Sequence, residues 1–262
     1  MTKEYTFESI QEYLEIIQSL PKAWNLNPAT LWYRGVRNSD HSLVPGCVWR
    51  NIDLTLEESF VCEFLVHYRS IYRHPIKDSL ELYALMQHYG LPTRLLDWTA
   101  SPLVGLFFAL EFESPTSNAV WVMSPVDLNK ITVGQETNIV PKKRNDDCFT
   151  KPWLPATLRD GLTSDIPAPP FAFKHPLVNP RISAQKGCFT FHGSERKGIE
   201  EYFHLDNNEC LAKIVLQDIS KREDILNNLY ALGYKEDDIY QDLNALTRRI
   251  VREQSLLIGG SD

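Results

Sequence analysis

One stretch of the sequence, residues 88–112, constrains the fold more than any other because it sets polar side chains inside an apolar segment. Gly90 and Pro92 predict a fixed bend, since glycine tolerates positive φ and proline fixes φ. Ser101 and Pro102 then predict the start of a helix, and the residues after them are apolar on every side. Such a helix is typical of a protein core.

The polar residues just before this helix are therefore expected to be at least partly buried: Thr93, Arg94, Asp97, Thr99 and Ser101. Buried polar groups need partners, which either the fold or a ligand supplies. The helix N-terminus also favours an anion, because its backbone N–H groups have no partner within the helix. This stretch is our first candidate for a ligand site. One structural alternative stays open, since Arg94 and Asp97 are close enough in sequence to form a buried ion pair.

The composition is that of a soluble globular protein, with 43% hydrophobic and 23% charged residues in a chain of 262. No apolar run approaches the ~20 residues of a membrane helix, and the N-terminus lacks the pattern of a signal peptide. We therefore expect a cytoplasmic protein without a membrane partner. The formal charge of -7 predicts no general attraction to nucleic acid, and five widely spaced cysteines favour neither disulfides nor a zinc site.

Short apolar segments bounded by turn residues predict strands near residues 30–36, 118–123, 182–192 and 210–216. Apolar residues at helical spacing predict helices before, between and after these strands, and the first of these helices opens the chain. The pattern as a whole predicts a single α+β domain, in which a mixed or split sheet of short strands is flanked by helices.

The predicted domain organisation has three parts. Residues 1–27 are an N-terminal helix with its lead-in, residues 28–250 the main domain, and residues 251–262 a C-terminal tail. Within the main domain, residues 141–180 are rich in proline and lack periodicity, which predicts an irregular loop. Long loops of this kind often close over a site, so we expect this one to be a mobile cover.

Three patches of the sequence form a recognisable set: Tyr33-Arg34-Gly35, His-Tyr-Gly-Leu-Pro-Thr-Arg-Leu-Leu-Asp-Trp-Thr at 88–99, and Gln185-Lys-Gly-Cys-Phe189. Together they resemble the FRG domain family, which is named for a phenylalanine or tyrosine followed by arginine and glycine. A closing helix near 239–246 is also similar, so the resemblance spans roughly residues 28–250. Members of this family occur in bacteria and their phages, often in settings of conflict, which implies a toxin or defence effector.

The same residues bear a weaker resemblance to ADP-ribosyltransferases of the arginine-serine-glutamate type. That family has an arginine ending an early strand, a strand with serine or threonine leading into an apolar helix, and a later strand with the catalytic glutamate. Arg34, Thr99 and Gln185 occur in this order, with Gln185 where the glutamate is expected. A glutamine can hydrogen-bond a ribose hydroxyl but cannot act as a base. Asp97 can supply the missing carboxylate. The resemblance thus implies an ADP-ribosyltransferase-like fold with Arg34, Asp97 and Gln185 as catalytic residues.

The resemblance also implies NAD as the substrate, and each part of NAD needs a different side chain. The pyrophosphate needs a cation and donors near a helix N-terminus, the nicotinamide an aromatic surface, and the ribose a polar partner. The candidates for binding NAD are Tyr33, Arg34, Gly35, His88, Arg94, Trp98, Thr99 and Ser101. His88 and Trp98 each have a structural alternative, as a helix cap and as a core residue.

We therefore expect NAD-dependent ADP-ribosyl transfer or NAD cleavage, with an unknown protein or nucleic acid as the acceptor. Two alternatives stay open. The glutamine at position 185 favours a non-catalytic module that recognises a nucleotide or a protein. A metal-dependent hydrolase or nuclease would use His88, Asp97 and His192, but these residues lack a recognisable ligand spacing, so no metal site is assigned.

Overall fold

The structure, a computed structural model, describes residues 2–76, 78–114, 116–137, 139–140, 149–159, 165–174 and 180–259. Its strands are β1 (Lys3–Phe7), β2 (Trp32–Val36), β3 (Leu95–Thr99), β4 (Ala119–Met123), β5 (Phe171–Phe173), β6 (Gly187–Phe191) and β7 (Leu211–Leu216). Its helices are α1 (Ile10–Ala23), α2 (Gly46–Trp49), α3 (Leu54–Ile71), α4 (Ser79–His88), α5 (Pro102–Leu110), α6 (Pro125–Val133), α7 (Pro180–Ala184), α8 (Ile199–Leu205), α9 (Arg222–Ala231), α10 (Glu236–Tyr240) and α11 (Leu243–Gly259).

The fold is mixed α/β, built on one open sheet with the strand order β1-β7-β4-β2-β3-β6-β5. β1 runs parallel to β7, and the other neighbouring strands are antiparallel. The mixed sheet expected from the sequence is thereby confirmed. In the described parts of the chain, no helix is both long enough and apolar enough to cross a membrane.

The two central strands, β2 and β3, barely pair with each other. β2 pairs along its whole length with β4, and β3 does so with β6. Between β2 and β3 only Tyr33 and Thr99 lie opposite one another. The sheet therefore consists of two halves that are joined at one residue pair and open beyond it.

Two separate hydrophobic cores cover the same face of the sheet, one over each half. The first packs α1, α5, α9 and α10 on the half that contains β2, and Tyr33 belongs to it. The second packs α3 and α4 on the half that contains β6, and Leu95 belongs to it. Because side chains alternate along a strand, Leu95, Asp97 and Thr99 share this face. Asp97 therefore lies between the two cores, which explains why this residue of a central strand is exposed.

The opposite face of the sheet carries a third core under α6 and α8. It includes Trp32 from β2 and Trp98 from β3, both almost fully buried. This core extends across both halves of the sheet, so it supports the sheet where β2 and β3 separate.

Helix α5 lies directly on β2, and two glycines make this approach possible. A Cβ atom at Gly35 would clash with the backbone of α5, at the carbonyl oxygen of Gly105 and the nitrogen of Ala109. A Cβ atom at Gly105 would lie 2.9 Å from Cβ of Tyr33. The expected apolar core helix is confirmed, since α5 is buried over most of its length. Gly35 and Gly105 are thus packing requirements.

Three expectations about secondary structure need correction. The chain opens with strand β1 and not with a helix, because Lys3–Phe7 pairs with β7 before α1 begins. The predicted strand at 182–192 starts only at Gly187, and α7 occupies the residues before it. The predicted irregular loop at 141–180 contains β5, which pairs with β6. Much of this loop lies outside the described residues, so its role as a mobile cover stays a prediction, as do the domain boundaries at 27/28 and 250/251.

Candidate functional site

The opening between β2 and β3 is bridged by one side chain. Arg34 lies in β2, one residue beyond the last pair with β3, and its Nη1 donates a hydrogen bond of 2.6 Å to the backbone carbonyl oxygen of Asp97. That carbonyl has no partner strand here because the two strands have separated. The arginine therefore replaces strand pairing at the point where the sheet opens.

A cavity of about 400 Å³ occupies this opening, and we call it the cleft. Its walls come from β2, β3, β6 and α7, from the loop after β2, and from the C-terminal ends of α4 and α5. The volume lies within the ~300–1,000 Å³ typical of ligand-binding pockets. Its polar and charged lining residues are Tyr33, Arg34, Arg37, His41, Gln87, His88, Asp97, Trp98, Thr99, Arg181, Gln185 and Cys188.

The cleft concentrates positive charge in a chain whose formal charge is -7. Three arginines, Arg34, Arg37 and Arg181, line it together with a single carboxylate, that of Asp97. Burial lowers the pKa of the Arg34 guanidinium, and the nearby charge of Asp97 opposes this shift. A cation that has lost solvent in this way is stabilised by an anion placed beside it. The cleft is therefore suited to an anionic ligand.

Two histidines in the cleft stay neutral near pH 7. Burial lowers the pKa of His41, and the charges of Arg37 and Arg34 lower it further. Burial also lowers the pKa of His88, and the charge of Arg181 adds to this shift. A neutral imidazole both donates and accepts hydrogen bonds, so each ring is able to accept a proton from a ligand.

The carboxylate of Asp97 is held in a fixed direction by a glutamine. Gln87 donates from Nε2 to Oδ2 of Asp97 at 2.7 Å, and its own Oε1 accepts from the hydroxyl of Thr93 at 2.6 Å. Asp97 is exposed to the cleft and forms no ion pair with Arg94, so the structural alternative of a buried pair between these two residues is wrong. Asp97 retains lone pairs for a ligand.

Thr99 and Gln185 are joined across the floor of the cleft. The Thr99 hydroxyl donates to the backbone carbonyl of Gln185 at 2.6 Å and accepts from the backbone N–H of Ser101 at 3.0 Å. Gln185 lies in the turn between α7 and β6, not on the strand itself. Its Nε2 is buried, and within the described chain it has no hydrogen-bond partner. Because buried donors are rarely left unpaired, this amide is a candidate contact for a ligand.

The central part of the chain matches a known family. Residues 29–118 fit the family model of the FRG domain. The chain contains an FRG domain. The matched residues include β2, α4, β3 and α5, which bring Arg34, His88 and Asp97 to the cleft. Arg181 and Gln185 reach it from outside the matched residues. Neither the curated proteins nor the solved structures yielded a match to this chain.

Most of the site residues expected from the sequence do meet in this cleft. Those that line it are Tyr33, Arg34, Gly35, His88, Asp97, Trp98, Thr99 and Gln185. Two of them are also structural: Trp98 donates from its indole nitrogen to the Thr190 hydroxyl within a core, and Gly35 packs on α5. Burial raises the pKa of Tyr33 to about 12, so its phenol stays protonated.

Arg94 and Ser101 lie outside the cleft. Ser101 is buried at the start of α5, and its side chain makes no capping hydrogen bond. Arg94 is buried, and its Nε pairs with Oε2 of Glu57 at 2.7 Å. Its Nη1 donates to the carbonyl of His192 at 2.9 Å, and its Nη2 donates to the carbonyl of Trp153. The protein itself satisfies this guanidinium.

His192, which the metal-dependent alternative requires in the site, is almost fully buried beside Arg94. It therefore does not join His88 and Asp97 in the cleft. Across the described ranges, no group of three or more His, Cys, Asp and Glu side chains is arranged to hold a metal ion.

Four polar lining residues were not among the candidates from the sequence: Arg37, His41, Gln87 and Arg181. Gln87 carried the clearest available signal, because it directly precedes His88 at the end of a predicted helix. Arg37 and His41 follow β2 in a segment without periodicity, and α7 was expected to be a strand. Only the tertiary arrangement brings these three side chains to the cleft.

Proposed function

We propose that the cleft of this protein binds NAD and uses it for ADP-ribosyl transfer or NAD cleavage. The observation that carries the proposal is the convergence of three arginines on a cavity that contains one carboxylate. Arginine presents a planar fork of donors that suits phosphate oxygens, so these side chains fit the pyrophosphate of a dinucleotide. The carboxylate of Asp97 then faces the reacting sugar.

The arrangement of three residues supports the transferase chemistry. Arg34, Thr99 and Gln185 line one cavity, in the chain order that ADP-ribosyltransferases use for their arginine, serine and glutamate. The separation of the sheet at β2 and β3 gives the cleft its place between two halves, which supports an ADP-ribosyltransferase-like arrangement. The toxin or defence role rests on the family resemblance alone.

In this proposal the bond between ribose C1′ and the nicotinamide nitrogen breaks, and nicotinamide leaves with the electron pair. The sugar becomes an oxocarbenium-like cation, which an acceptor attacks at C1′ while it loses a proton. Asp97 stabilises the cation by its charge, and Gln87 keeps the carboxylate in place. His88, neutral near pH 7, takes up the proton of the acceptor. Gln185 donates its unpaired amide to a ribose hydroxyl.

A second candidate function is recognition of a nucleotide without catalysis. Gln185 favours it, because a neutral amide stabilises a developing positive charge much less than a glutamate does. The two functions share the binding step and differ only in whether nicotinamide is released. Chromatographic assay of nicotinamide after incubation with NAD therefore distinguishes them.

Calorimetric titration with NAD and ADP-ribose tests the shared binding step. Arg34→Ala should abolish binding of both ligands, and Arg34→Lys should restore it only in part, because lysine lacks the fork of donors. Both variants should stay folded, with a loss of about 1 kcal/mol for the hydrogen bond to Asp97. Arg73→Ala is the matched control, since Arg73 is exposed outside the cleft.

Thermal melts with NAD, ADP-ribose, Mg²⁺ and Mn²⁺ extend the test to the metal-dependent alternative, because a ligand of the native state raises the melting temperature. The proposal is overturned if the parent protein binds neither nucleotide, or if Arg34→Ala binds NAD as the parent does. Stabilisation by metal ions without any response to nucleotides would favour the hydrolase.

A further inference from the structure

The exposed aromatic side chains of this protein are gathered around the cleft. Within the described chain, three large aromatic residues are clearly exposed: Trp49 at 61%, Tyr89 at 64% and Phe112 at 52%. The other large hydrophobic side chains with comparable exposure are all aliphatic, such as Ile71 in α3. The position of the three rings is therefore a specific feature.

Each ring approaches the cleft from a different element. Trp49 ends α2, and its ring lies 4.6 Å from the ring of His41, which lines the cleft. Tyr89 directly follows α4, and its ring lies 4.9 Å from the ring of His88, another lining residue. Phe112, just beyond α5, lines the cleft itself. One exposed ring thus lines the cleft and two lie beside rings that line it, and we call the part of the cleft next to these three rings its mouth.

These rings contribute little to the folded core. A Trp, Tyr or Phe side chain stabilises a fold mainly by burying its large apolar area, and these three leave more than half of theirs in solvent. Exposed aromatic groups next to a concave site are typical of surfaces that bind a partner. A function in binding accounts for their position better than packing does.

The charge beside the rings identifies the chemistry of the partner. Arg37 and Arg181 line the same cleft, and Arg37 forms no ion pair with any described carboxylate. Proteins that bind single-stranded nucleic acid combine arginines, which contact the phosphates, with exposed aromatic rings, on which the bases stack. Because the protein as a whole carries a formal charge of -7, such a strand is attracted only locally, at this mouth.

We propose that the acceptor reaching the cleft is a single strand of nucleic acid, whose bases stack on Trp49, Tyr89 and Phe112. This inference rests on the proposed function and names its acceptor. A ring nitrogen or a hydroxyl of the strand attacks ribose C1′, the bond to nicotinamide breaks, and nicotinamide leaves with the electron pair. The proton of the attacking group passes to His88 or to water. A duplex is excluded because its bases are already stacked on one another.

Fluorescence polarisation with labelled oligonucleotides tests this surface. Single strands of thymidine, adenosine or uridine nucleotides should bind, whereas a duplex and a strand of abasic phosphates should bind more weakly. Trp49→Ala, Tyr89→Ala and Phe112→Ala should each weaken binding about tenfold, which is the usual effect of removing one stacking platform. Ile71→Ala removes an aliphatic side chain that is 83% exposed, so it is the matched control and should bind as the parent does.

The outcomes separate this inference from the proposed function. If the parent binds ADP-ribose in calorimetry but no oligonucleotide, the acceptor is not nucleic acid and the inference fails alone. If it binds oligonucleotides but not ADP-ribose, the NAD proposal fails and the strand itself is the ligand of the cleft. Binding that is equal for duplex, abasic and normal strands, or that is unchanged in all three aromatic variants, would overturn the stacking surface.

Discussion

Two arginines close to the opening of the sheet have opposite surroundings. Arg94, just before β3, is 3% exposed and donates to Glu57, to the carbonyl of His192 and to the carbonyl of Trp153. Arg34, in β2, has one described protein acceptor, the carbonyl of Asp97. The fold thus supplies acceptors on every side of one guanidinium and leaves donors of the other facing a cavity.

The difference separates an arginine that the protein itself satisfies from one that has donors left for a ligand. A buried charge whose partners are all provided by the protein positions the elements that supply them, here α3, β6 and the segment at Trp153. A desolvated charge without a full set of partners stabilises the fold less and gains more from a ligand. We therefore assign Arg94 to the scaffold and Arg34 to the site.

The largest expected effect is that of Arg94→Ala on stability. Removing the guanidinium leaves the carboxylate of Glu57 buried without its charged partner, which should cost about 3–5 kcal/mol of the free energy of unfolding. Chemical denaturation monitored by circular dichroism measures this loss. A double variant, Arg94→Met with Glu57→Leu, should recover part of it because no uncompensated charge remains. Parent-like stability of Arg94→Ala would remove the contrast between the two arginines.

The next largest effect is acid destabilisation through His192, in the same buried region. Burial and the charges of Arg94 and Arg34 lower the pKa of His192 to about 3, whereas an unfolded histidine titrates near pH 6.5. Between these values the unfolded state binds a proton that the folded state does not. This contribution to stability is therefore present above pH 6.5 and falls with decreasing pH by about 1.4 kcal/mol per unit.

At pH 5 the titration of His192 should lower the free energy of unfolding by about 2 kcal/mol relative to its value above pH 6.5. His192→Gln should therefore flatten the decline of the unfolding free energy between pH 6.5 and pH 4, whatever its stability at neutral pH. His204→Gln is the matched control, because His204 is exposed in α8. Identical pH dependence in the parent and His192→Gln would show that His192 does not have the lowered pKa.

The smallest effect on stability is expected at the cleft. Asp97 is exposed, so Asp97→Asn should change the free energy of unfolding by about 0.5 kcal/mol or less. The same change should abolish release of nicotinamide while NAD still binds, because the amide keeps the shape but removes the charge that faces the sugar. Calorimetry and the nicotinamide assay on one preparation measure both quantities. If Asp97→Asn releases nicotinamide at the rate of the parent protein, Asp97 has no catalytic role.

Much of the framework was predictable from local sequence, and the reasons are visible in individual elements. β2, β4 and α5 were expected because their aromatic, branched and apolar residues form continuous short runs. β1 was missed because its residues are mostly polar. Such residues are tolerated there because β1 is an edge strand, which pairs with a neighbouring strand along only one of its two edges.

The site was only partly predictable because its decisive feature is a gap between two cores. The apolar neighbours of Asp97 led us to expect at least partial burial of this residue, but its side chain is exposed because the helices leave it uncovered. The spacing of Arg94 and Asp97 also left open a buried pair between these two residues, whereas in the structure Arg94 pairs with Glu57. Which side chains stay uncovered and which ones form pairs depends on contacts between residues that are distant in sequence, including Glu57 and Arg181.

The contact between Gly35 and α5 gives the Tyr-Arg-Gly signature two independent meanings. The glycine satisfies a steric requirement of the fold, whereas the adjacent arginine lines the cleft and binds the ligand in the proposed function. In family members that still fold but have lost their activity, we expect substitutions at position 34 while the glycine at position 35 is retained. A survey that counts functional members of the family should therefore score position 34, since retention of position 35 alone reports only that the chain still folds.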